Sequence, residues 1–301
     1  MTDLIVEIVR GLATGCIYAL LALGLTLIFQ VSGVVNFAQG ALAAVGAYAL
    51  WSLLNQGRLP FWPAAIATIV VTFLLGVLFQ VVLLRRLQRA PAASLIVTLG
   101  LLIVLEGGIG VIWGYTGPTP PLVFSLPVSA FQQTTIGSVA LSNLDLVSIG
   151  VTAALIVLFF AFLRYTRAGA AVRAVAQSAQ GARLVGIRVG RVRTAAWGLS
   201  AVIAAVAGVL IAASSQQAPT MAEIYLLSAF AGAVIGGLDN LVGAALGALL
   251  IGVVQNLVAF YIPTGLSSVG VSSSTIVFLL LLVVLLVRPA GLFGIAVQRR
   301  V

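Results

Sequence analysis

GLATGCIYALLALGLTLIFQ, residues 11–30, carries no charged side chain over a length that suits one helical crossing of a bilayer, for which about 20 apolar residues are needed. Runs of the same kind recur to the end of the chain, at residues 37–54, 63–84, 94–114, 144–163, 194–213, 224–238, 241–262 and 274–287. The whole sequence of 301 residues is 62% hydrophobic and only 7% charged, where a soluble domain carries about 25% charged residues. A large core does not explain the deficit, because a soluble protein still covers its surface with polar groups. Lipid as solvent does explain it, and the reading is an all-α, polytopic transmembrane helical bundle of about 8–9 spans. The expectation is a single transmembrane domain over residues 1–301.

The charges set the orientation. All basic residues are Arg, with no Lys and no His. Arg85, Arg86 and Arg89 form one cluster, residues 164–193 hold Arg164, Arg167, Arg173, Arg183, Arg188, Arg191 and Arg193, and the tail carries Arg288, Arg299 and Arg300. Arginine-rich loops lie on the cytoplasmic side. Nine crossings with the N-terminus outside and the C-terminus inside place all three clusters there; a re-entrant 224–238 segment would break that parity unless a second weak segment also failed to cross. The start of the chain, with Asp3 and Glu7 and no basic n-region, does not read as a cleavable signal. The net charge of +9 sits at the ends of apolar runs, which excludes a nucleic-acid surface as its reason.

Composition excludes some chemistry. A phosphate-binding loop of the Walker type needs a Lys after its glycines, and with no His and one Cys the usual zinc and iron sites have no ligands. Cys16 reads as a small packing residue.

Polar residues inside apolar runs are the candidates for a solute pathway. The first junction, Ser32-Gly-Val-Val-Asn-Phe-Ala-Gln-Gly40, sets Asn36 three residues before Gln39. That is the spacing of a capping box, and equally of a helix start that offers free N–H groups to an anionic solute. Glu106 lies well inside an apolar run, where an ionisable group by default marks a cavity or pathway. Gln255 and Asn256 form a polar pair inside the run 241–262. At the junction Gly237-Leu-Asp-Asn-Leu241, Asp239 or Asn240 is placed to cap the following helix. Gly236, Gly237, Gly243, Gly247 and Gly252 give a small-residue face suited to close helix packing.

Two loops are long. Residues 115–143 are rich in Pro, Ser, Thr and Gln, with some β character over 123–139, and read as a periplasmic cap. Residues 164–193 have an Ala-rich, helix-compatible middle from 168 to 185. Such a loop is a topology anchor on anionic headgroups or a short interfacial helix that docks a cytoplasmic partner, and some thirty residues favour the second.

Taken together these motifs resemble one family, the permease subunits of branched-chain amino-acid ABC transporters, which also includes urea and short-chain amide permeases. Residues 15–40, with Tyr18-Ala-Leu, Gly24-Leu and Asn36-Phe-Ala-Gln-Gly40, are similar to its N-terminal signature. Arg173-Ala174 followed by Gly186-Ile187 resembles its coupling segment, Ala233-Val-Ile-Gly-Gly237 with Gly243-Ala244 and Gly247 its glycine-rich stretch, and Arg288-Pro-Ala-Gly-Leu-Phe-Gly294 its terminal motif. The chain departs from the usual pattern at Gln39, Ala41, Gln177, Ser178 and Asp239.

The resemblance implies an importer in the bacterial inner membrane. A second permease subunit, commonly a homologue, completes the pathway. Two cytoplasmic ATPase subunits carry ATP and Mg²⁺, dock on Arg173, Ala174, Gly186 and Ile187, and do the hydrolysis. A periplasmic solute-binding protein delivers the solute. The chain itself would be no enzyme and bind no cofactor, and its other contact would be lipid. The alternative is an ion-coupled secondary transporter or channel, for which Glu106 is the intramembrane candidate.

Overall fold

The structure is a computed structural model that describes residues 2–85, 91–114, 133–136, 139–214, 217–261, 273–288 and 291–294. Arg86, Arg89, Arg299, Arg300 and most of the 115–143 loop lie outside the described residues.

The first apolar run belongs to a longer helix, α1 (Thr2–Ser32), which takes in Asp3, Glu7 and Arg10 because none of these interrupts a helix. α2 (Gln39–Asn55) and α3 (Phe61–Phe79) follow, and α3 continues into a π-helical turn, Gln80–Leu84. After α4 (Pro91–Trp113) a two-stranded antiparallel hairpin, β1 (Gln133–Ile136) and β2 (Val139–Ser142), leads into α5 (Asn143–Tyr165). Then come two short helices, α6 (Arg167–Gln177) and α7 (Ala179–Leu184). The chain continues through α8 (Val189–Ser214), α9 (Glu223–Gly236), α10 (Leu241–Tyr261) and α11 (Ser273–Val287).

Each of the nine apolar runs is therefore a helix, but they differ in reach. Six are long and apolar enough to cross a membrane: those containing 4–32, 61–84, 93–113, 143–165, 189–214 and 241–261. α2, α9 and α11 are shorter, at 17, 14 and 15 residues. Both α2 and α9 follow a long, central helix in the chain.

α1 and α8 form the middle of the bundle. In their spanning windows 83% and 72% of residues are buried, against 22% in α3, α4 and α5. Ala19 to Leu23 are at most 1% exposed, so α1 is enclosed on all sides at that level. The outer helices show large apolar side chains instead: Trp62, Ile66, Ile96, Ile103, Val111 and Val157 are each more than 60% exposed. Exposed apolar side chains on spanning helices face lipid or a neighbouring subunit.

Small residues let the central helices meet backbone to backbone, which is how membrane helices gain packing energy without a hydrophobic drive. Gly15 of α1 lies against Leu249 and Gly252 of α10, and Gly208 of α8 against the Ala43 carbonyl of α2. The glycine face expected on α10 serves two neighbours: Gly243 and Gly247 pack on Gly236 and Gly232 of α9, while Gly252 packs on α1.

Candidate functional site

The junction after α1 is where the chain doubles back. α1 ends at Ser32 because Gly33 takes φ +71°, with its N–H bonded to Phe29 O. The Gln39 side-chain amide reaches back to Gly24, eight residues before the end of α1 and about 12 Å along it at the helical rise. α2 thus starts inside the bundle and not at its mouth. After the exposed Gly33 the irregular backbone between the helices is covered by protein, and side chains from other helices bond to it and to the end of α1: Arg193 Nε donates to Val31 O at 2.8 Å and Thr98 Oγ1 approaches Val35 O at 3.3 Å.

Asn36 and Gln39 are both 0% exposed. Asn36 Oδ1 accepts from the Ala38 N–H at 3.1 Å, and its Nδ2 donates to Gln39 Oε1 at 3.0 Å. Gln39 Nε2 donates to Ser200 O at 3.3 Å, and the Ser200 hydroxyl sits 2.9 Å from Gly24 O and 3.0 Å from Gln39 Oε1. The capping-box spacing is thus used differently from a capping box. Gln39 does not turn back to the backbone ahead of it, and α2 begins without a side-chain cap. Its amide instead ties α2 to α8 and α1, and Gly24 lacks a side chain because a Cβ there would occupy the Gln39 amide position.

α9 also begins without a side-chain cap. The starts of α2 and α9 meet: the Cβ position of Gly40 is 3.4 Å from Ala222 O and from Leu226 Cδ2. Beside this meeting point stands Glu223, the first residue of α9, and the Glu106 carboxyl of α4 lies close enough to hydrogen bond with it. Glu223 is exposed and Glu106 half-buried, and their neighbours along the same helices, Ile103, Ile224 and Leu227, are 67%, 64% and 51% exposed. Two carboxyl groups therefore sit together on an otherwise apolar open face. Gln217, in the connection before α9, is 5% exposed with both amide atoms unbonded.

The other polar residues form separate clusters. Gln255 Oε1 accepts from Tyr18 OH at 2.8 Å and from Ser228 Oγ at 3.3 Å, with the Tyr225 ring 5.9 Å from that of Tyr18. Asn256 Nδ2 donates to Glu7 Oε2 at 2.7 Å and to Glu7 O at 2.8 Å, and Glu7 also pairs with Arg10 at 3.0 Å. The structure brings Asn36 to Gln39, but Gln255 and Asn256 bond elsewhere, and the electrostatic neighbour of Glu106 is Glu223. Ser200, Glu223, Gln217 and Ser228 are the site residues that sequence reasoning missed. A hydroxyl or amide in an Ala-rich run is unremarkable until its partner, 161 residues away for Ser200, is known.

At the arginine-rich end the 168–185 stretch, expected as one helix, is two. Ser178 adopts an extended backbone, and its Oγ accepts the Gly181 N–H at 3.0 Å to start α7, as Thr166 Oγ1 accepts the Gly169 N–H at 2.9 Å to start α6. α6 buries Gly169, Val172 and Val175 and turns Arg167 and Arg173 outward. α7 closes on Gly186 at φ +81°, with Gly186 N bonded to Arg183 O and Ile187 N to Ala182 O. This is a Schellman turn, and it explains why the pair Gly186-Ile187 stands where it does.

A groove of about 930 Å³ separates α6 from the α9–α10 turn and includes Arg173, Gln177, Asp239 and Asn240 in its lining. Asn240 is the cap of α10, its Oδ1 accepting the N–H groups of Val242 and Gly243 at 3.0 and 3.2 Å. The terminal motif closes on the same turn: Leu292 N donates to Ile235 O at 2.6 Å.

A protein family described as branched-chain amino acid transport system, permease component, matches residues 7–287. The high-affinity branched-chain amino acid transport system permease protein LivH of Escherichia coli (strain K12) is 28% identical over 303 residues, covering 96% of this chain and 94% of that protein. BraD of Pseudomonas aeruginosa, described in the same words, is 29% identical over 300 residues, covering 96% and 95%. The autoinducer 2 import system permease protein LsrD of Klebsiella pneumoniae is 30% identical over 287 residues, covering 91% and 80%. No solved structure matches the chain at a significant level.

Proposed function

Because the chain belongs to the branched-chain amino acid transport system permease component family, and is thus a multi-pass membrane subunit of an ABC importer and not an enzyme, we propose that its solute is a branched-chain amino acid. The observation that carries this is the carboxyl pair Glu106–Glu223 on an open apolar face, beside the two uncapped helix starts of α2 and α9. Carboxyl groups at spanning depth do not face lipid without heavy cost. This face of α4 and α9 therefore belongs to a pathway that a second permease subunit completes. An amino-acid zwitterion suits it chemically. Its ammonium group is attracted by the carboxyl pair, its carboxylate by the partial positive charge of a helix start, and its branched side chain by Ile103, Ile224 and Leu227.

Coupling enters at the other end. Two ATPase subunits, carrying ATP and Mg²⁺, dock on α6 and α7 with Arg173 and Ala174 on one helix and Gly186-Ile187 at the closing turn. α9 runs from the carboxyl pair to the turn that faces α6 across the groove, about 21 Å at the helical rise. A shift of α6 driven by ATP thus reaches the solute site through one rigid element. The arginine-rich end faces the cytoplasm and the N-terminus the periplasm, with the solute-binding protein docking on the outer side of the bacterial inner membrane.

The test is uptake of leucine in competition with isocaproate, which lacks the ammonium group, and isoamylamine, which lacks the carboxylate. The zwitterion site predicts that neither analogue competes at tenfold excess in the assembled complex, and that Glu223→Gln lowers leucine uptake at least tenfold with the complex intact. Unchanged leucine uptake in both Glu223→Gln and Glu106→Gln would remove the pair from the pathway.

A further inference from the structure

Outside the groove beside α6, the described residues form a second cavity at the arginine-rich end, on the outer flank of the bundle. It holds about 630 Å³ between the end of α3 and the start of α8. Its rim carries Arg85, Arg188 and Arg191, all exposed, and its wall carries Phe73, Val77 and Val81. From Phe73 to Arg85 is about 18 Å along the helix, so the cavity runs from the level of the headgroups into the hydrocarbon. Phe73 and Val81 are 37% and 42% exposed, on a spanning helix of the perimeter.

Among the described residues no carboxylate pairs with these three arginines. Among the described residues one ion pair occurs, Arg10 with Glu7. The chain has only six acidic residues, of which Asp239 alone lies at the arginine-rich end, in the other groove. Guanidinium groups bind phosphate oxygens bidentately and strongly. An occupant that satisfies both the rim and the wall joins an anionic head to a long apolar chain, as an anionic phospholipid of the surrounding bilayer does.

We infer that this cavity between α3 and α8 is a binding site for an anionic phospholipid of the inner leaflet, with its phosphate on Arg85, Arg188 and Arg191 and an acyl chain along Phe73, Val77 and Val81. A soluble ATPase subunit is a poor occupant, because the wall lies at spanning depth. The inference rests on the membrane assignment and is independent of the solute. Gly190 gives the site a means of blocking, since a Cβ built there meets nothing within 4 Å. A large side chain at that position fills the cavity without displacing the core.

The experiment uses the purified, delipidated full chain in neutral detergent, with retained lipid read by native mass spectrometry. Phosphatidylglycerol, phosphatidylcholine and free glycerol phosphate are the probes. Wild type is expected to retain one phosphatidylglycerol under conditions that strip phosphatidylcholine, and free glycerol phosphate is expected not to displace it. Arg85→Gln/Arg188→Gln/Arg191→Gln and, separately, Gly190→Trp should each lower retention at least tenfold. A control that removes the same charge elsewhere, Arg164→Gln/Arg167→Gln/Arg183→Gln, should retain lipid as wild type does. The proposal is overturned if either cavity variant retains phosphatidylglycerol normally, if the control loses it equally, or if glycerol phosphate competes. It is also overturned if Val81→Cys cross-links to the second permease subunit in the assembled complex, since a protein then covers the wall.

Discussion

Gln39 shows what a single side chain does in this fold. Its amide is fully enclosed and satisfied by Asn36 and Ser200, so that three separate stretches of chain are tied at one point. Gln39→Leu keeps the volume and removes the partner of Asn36 Nδ2, which is left without a bond, while the Ser200 hydroxyl keeps Gly24 O. A buried polar group stripped of its partner costs about 1–3 kcal/mol. The variant is expected to lower the thermal midpoint of the detergent-solubilised chain by several degrees, while Gln39→Glu should be worse because it buries a charge. A midpoint equal to wild type in both would show that the cluster does not hold α2 in place. The sequence displays the spacing of Asn36 and Gln39 but not Ser200, since nothing local marks a serine in an Ala-rich helix as the partner of a residue so distant. Glu106 was legible, because a carboxyl in an apolar run is conspicuous. Its partner Glu223 was not, because it stands at the edge of a run.

The coupling segment shows the same division among elements. A helix-compatible stretch at 168–185 is readable from its alanines, but the break at Ser178 depends on whether its hydroxyl caps α7 or points to water. The closing turn was visible only as the pair Gly186-Ile187, and its reason is the left-handed backbone at Gly186. A side chain there has open space around it, so the penalty is conformational, roughly 1–2 kcal/mol for a residue with a Cβ. Gly186→Val should therefore loosen the turn and reduce retention of the ATPase subunits on purification, and Gly186→Asn, which tolerates this conformation, should restore most of it. Equal retention in glycine, asparagine and valine forms would separate the turn from docking. From their apolar content, α2 was predicted as a span and α9 as a tilted span, a broken helix or a re-entrant segment. Their real starting points depend on where the preceding helix ends, which for α1 is set by Gly33.

For the whole molecule, nine apolar runs alone indicate a bundle, and all nine are helices. Which of them lie inside is subtler. The central helices α1 and α8 have mean hydropathy 2.2, below the 2.6 and 2.7 of the perimeter helices α3 and α5. Small residues that allow close approach are less apolar than the leucines and isoleucines that face lipid. Orientation rests on arginine placement. With Cys16→Ala as background, Gln56→Cys after α2 and Gln180→Cys in α7, both exposed, should label from opposite sides of the membrane, Gln56→Cys from the periplasm. Labelling of both from the periplasm would discard the arrangement.

The direct test of the account is uptake of radiolabelled leucine into proteoliposomes holding this chain with its partner permease and ATPase subunits, with the cognate binding protein outside. The account predicts accumulation that requires ATP within the vesicle together with the binding protein, persists when ion gradients are collapsed, and is lost when this chain is left out. Accumulation driven by an ion gradient without ATP, with this chain as the only protein present, would contradict it.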